Sequence, residues 1–349
     1  MTEKMSAVVV TGERKAEVIS IPKPVPANNE ILVQVKATAL CTWEQRVFIG
    51  EKKVPLPLLG GHETVGIISA LGQGVDPQAY PIGQQVAVRV VKQCNSCYYC
   101  RRDLPNLCVE LNSFHLNGPE VYGMGGLAEY ISLDRSAVWQ FRNDVPLKDQ
   151  VLTEPLACVM NSISKADPRP GDDALIIGGG VMGLLHIIAA RLRGAFTILS
   201  EPNQARREVA QALGCNLTID PMSTDLHAQI MALTQGRGAQ SVFNTTAISA
   251  VAEQAVALTG KGGTCVMYSS QHPDQPIQLS PNWIHNTEVR ITGAVNPSTQ
   301  SFDQAVNLID KGLVRAGSLV RASFPYQEAQ QAFEASLDPA NFRTILTFA

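Results

Sequence analysis

Cys94, Cys97, Cys100 and Cys108 stand within one short run, and that spacing obliges the chain to fold back on itself. Two-residue gaps let consecutive thiolates point at one centre from a tight turn, and the longer gap returns the chain to supply the fourth corner of a tetrahedron. The pattern points to a structural tetrathiolate zinc. Four soft ligands leave no open coordination position, so such a site stabilises a loop and does no chemistry. Core or disulfide-paired cysteines seldom cluster this way. Lys92, Arg101 and Arg102 flank the run and read as a charged surface loop rather than as a nucleic-acid-binding ribbon.

The formal net charge of the 349 residues is -3, which gives no reason to expect nucleic acid as a partner. The length suits about two domains with substantial cores. The start, MTEKMSAVVV, shows no secretory leader, and no apolar run reaches the length of a membrane span, so a soluble cytoplasmic protein without a membrane partner is expected. Eight cysteines fit a reducing compartment that leaves thiols available to metal.

Up to about residue 150 the chain reads as short strands broken by Gly, Pro and Asn: SAVVV, AEVISI, EILVQVKATAL, TVGIISAL, QQVAVRVV and LAEYISL. This predicts a β-rich, barrel-like domain over 1–150, with the cysteine lobe at about 90–110. From 151 to 295 the character is that of a doubly wound parallel sheet. DALIIG, AFTILSE, NLTID, SVFN, GTCVMYS and VRITGAV are candidate strands, with helices such as 181–193, 204–213 and 249–258 between several of them. The segment 296–349 holds two amphipathic helices, near 302–312 and 326–337, and a last strand, RTILTF. The fold class is therefore α/β.

DALII runs into Gly178-Gly179-Gly180-Val181-Met182-Gly183, directly before a helix. In that strand–turn–helix context the glycine pattern is a dinucleotide fingerprint. Gly178 makes the turn, Gly180 lets the backbone approach a pyrophosphate, and Gly183 lets the helix pack on the strand. The pyrophosphate is expected over the helix N-terminus, at Val181 and Met182, where free N–H groups favour an anion. Glu201, at the end of the second strand, suits hydrogen bonds to the adenosine ribose hydroxyls and repels a 2′-phosphate, so NAD is favoured over NADP. Arg206 and Arg207 read as a solvated helix face or as groups reaching for a 2′-phosphate.

Cys41 follows an apolar strand, and Gly60-Gly61-His62-Glu63 forms a compact turn. Glu154, in TEPLAC, is a further candidate ligand. A thiolate, an imidazole and a carboxylate leave zinc a fourth position for water or substrate, as a catalytic site requires. Taken alone, Cys41 reads equally as a core thiol and His62 as a structural turn residue.

Cys41 at its strand end, GHETVG at 61–66, the cysteine lobe, GGLAEY at 125–130, EPLA at 154–157 and GGGVMG at 178–183 together resemble the zinc-dependent medium-chain dehydrogenase/reductase family. The likeness spans essentially the whole chain and is strongest to the polyol (sorbitol-type) and threonine dehydrogenase branches. It implies a GroES-like catalytic domain completed by the C-terminal segment, with a Rossmann domain inserted between. It implies two zinc ions per chain: a catalytic one on Cys41, His62 and either Glu63 or Glu154, and a structural one on Cys94, Cys97, Cys100 and Cys108. Glu154 leans towards the polyol type, Cys158 reads as a core thiol, and a homodimer or homotetramer is implied.

The departures from that pattern matter. Trp43 stands where the proton-relay hydroxyl of the family sits, and Thr42 is one position away. Glu44 replaces the aspartate that orients the ligand histidine, and its longer side chain still allows that bond. Arg46 replaces a histidine and reads either as a fork for a substrate carboxylate or phosphate or as a partner of Glu44 or Glu51. Trp43, Arg46, Phe48, His115 and Asn296 are pocket candidates. The expected activity is hydride transfer between NAD(H) and a secondary alcohol or ketone of a polyol, sugar or sugar acid, a small-molecule substrate. The alternatives are a reductase retaining only the structural zinc and a non-enzymatic nucleotide-binding sensor.

Overall fold

The structure, a computed structural model, describes residues 3–91, 93–111, 115–116, 121–271 and 273–349. Lys92 lies outside the described residues, as does the side chain of His115. The chain divides into two compact units, Met1–Pro155 with Phe302–Ala349, and Leu156–Ser301.

The first unit is built around the strand Glu30–Leu40, whose sequence EILVQVKATAL is almost continuously buried. Such a run belongs in the middle of a sheet. It pairs antiparallel with Glu63–Leu71, Tyr130–Asp134 and the C-terminal strand Arg343–Thr347, within a seven-stranded sheet that Gln85–Arg89, Val138–Gln140 and Val320–Pro325 complete. A five-stranded sheet takes Lys4–Gly12, Lys15–Pro22 and three two-residue strands. One apolar cluster includes Val8, Val10, Ile31, Val33, Leu40, Leu58, Leu59 and Phe333. The β-rich expectation holds, and the chain from Phe302 onward belongs to this unit, so the part of the 296–349 segment before Phe302 lies in the other. The helix expected near 326–337 is shorter, Ala329–Ser336, because Tyr326–Glu328 makes a tighter 3-10 turn after Pro325. Phe48 is fully buried with its ring centroid 5.0 Å from Phe333, so it packs the core and lines no pocket.

The second unit carries a six-stranded parallel sheet in the order Leu217–Ile219, Phe196–Ser200, Asp173–Ile177, Ala239–Asn244, Thr259–Met267, Arg290–Gly293. This is the Rossmann order, in which the chain reverses direction beside the first strand and opens a crevice at the strand ends. Helices Val181–Leu192, Gln204–Ala212, Leu226–Leu233 and Ser249–Ala257 make crossovers. Asn203 and Asp225 cap two of them, accepting from the N–H groups of Arg206 and Ala228.

His186 is fully buried in this unit, its ring centroid 5.0 Å from that of Phe243 and 4.7 Å from that of Tyr268. Nδ1 donates to the Met182 carbonyl at 2.7 Å, which fixes the tautomer, and Nε2 accepts from the Ser162 hydroxyl at 2.8 Å. Burial drives its pKa down to about 4. The unfolded chain then binds a proton that the folded chain refuses, so stability is full above the ordinary histidine value and falls as pH drops from there towards about 4. Urea unfolding followed at about pH 7.5 and about pH 5 should show a loss of about 2 kcal/mol from this residue. The His186→Gln variant, with nothing to titrate there, should lose correspondingly less between the two.

Candidate metal and nucleotide sites

Three strand ends bring the first site together. Ala39 pairs with Glu63 and Leu40 with Thr344, so Cys41 and Arg343 each stand one residue beyond the last pair, and His62 directly precedes Glu63. Cys41 Sγ, a His62 ring nitrogen and a Glu63 carboxylate oxygen lie within 4.8 Å of one another. Gly61 has φ +88 and a Cβ there would meet the Leu127 nitrogen at 2.5 Å, so only glycine lets the chain present His62 here.

Glu44 sits beneath this cluster at 1% exposure. Its Oε1 bonds His62 Nδ1 at 2.9 Å and accepts from the Gly61 N–H at 3.0 Å, while Oε2 accepts from the Cys41 N–H at 3.2 Å. The extra methylene does not prevent the orienting bond. With Nδ1 tied to a carboxylate, Nε2 is the nitrogen left available to a metal. Glu63 Oε1 pairs with Arg343 Nη2 at 2.8 Å, both side chains almost fully buried, whereas Glu63 Oε2 is buried with no hydrogen-bond partner.

Burial raises the Glu63 carboxyl to about 7 against the pull of Arg343. Burial, then the Glu63 charge, raises the Cys41 thiol. Burial opposes charge on His62, but Glu44 and the Cys41 sulfur outweigh it and hold the ring well above its ordinary value. Glu44 is lowered, because His62 and its hydrogen bonds overcome its burial. A thiol, an imidazole and a carboxylate within reach of one another form a set that fits a zinc ion with one open position. Glu154, 8% exposed, acts on Glu63 and Arg343 through its charge, but the three-residue set does not include it.

On the helix Thr42–Phe48, the Trp43 ring makes a T-shaped pair with His62, with centroids 6.4 Å apart. Arg46 Nε is 3.4 Å from Glu51 Oε2, the pairing with an acidic neighbour that its sequence context allowed. Asn296 belongs to the other unit, where its carbonyl accepts from Asn161 Nδ2 at 2.9 Å. Cys158 is in neither metal-ligand cluster found among the described residues.

The sulfurs of Cys94, Cys97, Cys100 and Cys108 also lie within 4.8 Å of one another. Backbone donors point at them: the Cys97 N–H meets Cys94 Sγ at 3.2 Å, and the N–H groups of Cys94 and Glu110 meet Cys108 Sγ at 3.3 and 3.4 Å. Donors from Ser96 lower Cys94 to about 6, and burial with its sulfur neighbours raises Cys100 to about 12. N–H groups aimed at sulfur stabilise thiolates, so this lobe too fits zinc.

In the second unit, Gly178 has φ +103, and a Cβ on Gly183 would lie 1.8 Å from the Gly178 oxygen. Around Gly180 a Cβ would meet nothing within 4 Å, and no side chain caps the helix Val181–Leu192 that it opens. The turn and the close packing are thus present, and the open side at Gly180 is room that a pyrophosphate can take. Glu201 Oε2 accepts from the Gly179 N–H at 2.6 Å and Oε1 from the Asn203 N–H at 2.8 Å. Arg206 Nη1 is 3.9 Å from Glu201 Oε2, and Arg207 donates to the Glu201 and Pro202 carbonyls.

Two residues in contact with Glu63 and Trp43 carry no signal in the sequence motifs. Arg343 is one, signalled only by the single charge opening the strand RTILT. Lys52 is the other, its Nζ 5.8 Å from the centre of the Trp43 ring.

Residues 27–143 match the family described as alcohol dehydrogenase GroES-like domain, and residues 181–311 match zinc-binding dehydrogenase. L-threonine 3-dehydrogenase of Pyrococcus horikoshii is 31% identical over 244 residues, 68% of each chain. The 2-dehydro-3-deoxy-L-galactonate 5-dehydrogenase of Pseudoalteromonas atlantica is 27% identical over 336 residues, 96% of this chain and 95% of its own. A solved structure of an alcohol dehydrogenase from E. coli CFT073, complexed with NADH, superposes with a TM-score of 0.88 at 24% identity, covering 99% of each chain.

Removing one partner of the buried Glu63–Arg343 pair strands the other charge. Arg343→Met should cost about 3 kcal/mol of unfolding free energy, and the Glu63→Gln/Arg343→Met double variant should lose less than Arg343→Met alone, both read by urea denaturation.

Proposed function

Since this chain belongs to the zinc-binding medium-chain dehydrogenase/reductase family, we propose that it is a zinc-dependent, NAD-linked dehydrogenase. Its reaction is the oxidation of a secondary alcohol in a polyol, sugar or sugar-acid derivative, or the reverse reduction. The observation that carries this reading is the convergence of Cys41, His62 and Glu63, with a buried Glu63 oxygen that has no donor. The names of the two relatives put the oxidised carbon at positions 3 and 5 of their substrates, inside a carbon chain, which supports a secondary alcohol.

Cys41, His62 and Glu63 would hold the catalytic zinc, and Cys94, Cys97, Cys100 and Cys108 a second, structural one. When bound, the catalytic ion supplies Lewis-acid polarisation of the substrate oxygen, and the nicotinamide supplies the hydride acceptor or donor. Glu44 keeps the His62 ring aimed and its proton on Nδ1. Arg343 offsets the Glu63 charge through Oε1 and leaves Oε2 without a hydrogen-bond partner. Glu154 adds negative charge nearby without joining the ligand set, and Trp43 offers no hydroxyl to carry the substrate proton. Val181 and Met182 open the helix whose N–H groups would meet the pyrophosphate, and Glu201 would take the ribose hydroxyls on its remaining lone pairs. Arg206 Nη1, 3.9 Å from that carboxylate, is partly neutralised by it, and the Glu201 charge repels a 2′-phosphate, which supports NAD. A homodimer or homotetramer in the cytoplasm follows from the family likeness.

His62→Ala should abolish turnover while NADH binding, read by fluorescence, is kept. Undiminished turnover would instead establish a reductase with the lobe zinc alone, the reading that Trp43 favours. Glu201→Ala should shift the ratio of NADH to NADPH affinity towards NADPH by about ten-fold or more, the worth of a lost charged hydrogen bond.

A further inference from the structure

We propose that the substrate carries a terminal anionic group, a carboxylate or phosphate ester, and that the Lys52 ammonium recognises it. This rests on the reading of Cys41, His62 and Glu63 given above. From Cys41 the chain runs through the helix Thr42–Phe48 and returns so that the Lys52 N–H donates to the Arg46 carbonyl at 2.9 Å. That bond fixes Lys52 at the end of the helix. Its Nζ lies over Trp43, 5.8 Å from the ring centroid, and the same ring makes a T-shaped pair with His62, centroids 6.4 Å apart. A cation is therefore held one aromatic ring beyond a candidate metal ligand.

Two of the carboxylates nearby are committed elsewhere, and a third, Glu13, forms no salt bridge with Lys52. Glu44 is buried on His62, Gly61 and Cys41, Glu51 pairs with Arg46, and Glu13 lies against Gly50. Among the described residues no salt bridge reaches Lys52. The indole face holds the ammonium by its quadrupole but offers its N–H donors no oxygen acceptor. A polyol chain whose hydroxyl is at the metal site can lay its C–H face along Trp43 and end at Lys52. A neutral end gains little there, whereas an anion forms a charge-assisted pair.

The test compares hexonates (gluconate, galactonate) and sorbitol 6-phosphate with sorbitol and galactitol. Calorimetric binding to the zinc-loaded, NADH-saturated protein is measured alongside kcat/KM. One anionic class should be preferred by about ten- to hundred-fold, the range of a hydrogen bond to a charged group, and which class wins separates carboxylate from phosphate. Lys52→Met should abolish the preference, leaving neutral polyols and NADH bound as before, while the exposed neighbour variant Lys53→Met keeps it. Equal or better binding of neutral polyols, a preference that survives in Lys52→Met, an equal weakening of NADH, or no binding by any anion would each overturn the proposal. None of these touches the zinc-site reading, which fails separately if His62→Ala keeps full turnover.

Discussion

Two carboxylates, a guanidinium, a thiol and an imidazole are packed at the ends of three neighbouring strands, where Glu44, Glu63 and Arg343 are nearly excluded from solvent. Charges taken out of water are tolerable only when each finds an opposite charge or a full set of hydrogen bonds. Arg343 answers Glu63, and His62 answers Glu44. One oxygen of Glu63 is left over, and a divalent cation is the species that would satisfy it together with the Cys41 sulfur. The antiparallel register of Glu30–Leu40 with both flanking strands makes this arrangement unavoidable. A slip of one residue in either pairing would turn these side chains to the other face.

The register also accounts for the C-terminal segment. The strand Arg343–Thr347 lies against Glu30–Leu40 in the unit that Met1–Pro155 begins, so the ion-pair partner of Glu63 comes from the far end of the chain. The Rossmann unit interrupts this sheet in sequence without disturbing it. In that unit Glu201 has a double duty: it tethers Gly179 through a short hydrogen bond and presents the carboxylate proposed to meet the ribose.

Periodic and punctuated features were legible in the sequence. The cysteine spacing, the glycine turn and the alternation of strands with helices each follow from local geometry, and each is present. The bond from Glu44 to His62 was legible too, because the histidine turn and the helix start carried family motifs. Arg343 was not, since only strand pairing brings it to Glu63. The choice between Glu63 and Glu154 was open because both follow sensible motifs, and only three-dimensional register puts Glu63 within the set. Phe48 packs the core rather than a pocket because its helix also faces inward, where Phe333 packs on it. Lys52 carries no motif, and its position over Trp43 depends on how the chain turns after the helix.

The central claim, that Cys41, His62 and Glu63 hold a catalytic ion apart from the cysteine lobe, is tested most directly by zinc per chain. Elemental analysis of protein purified without added metal would be compared between the natural chain and its Cys41→Ser variant. The account predicts two zinc ions in the first and one in the second, with the retained ion resistant to mild chelation. One zinc in both, in a natural chain that is fully active, would contradict it.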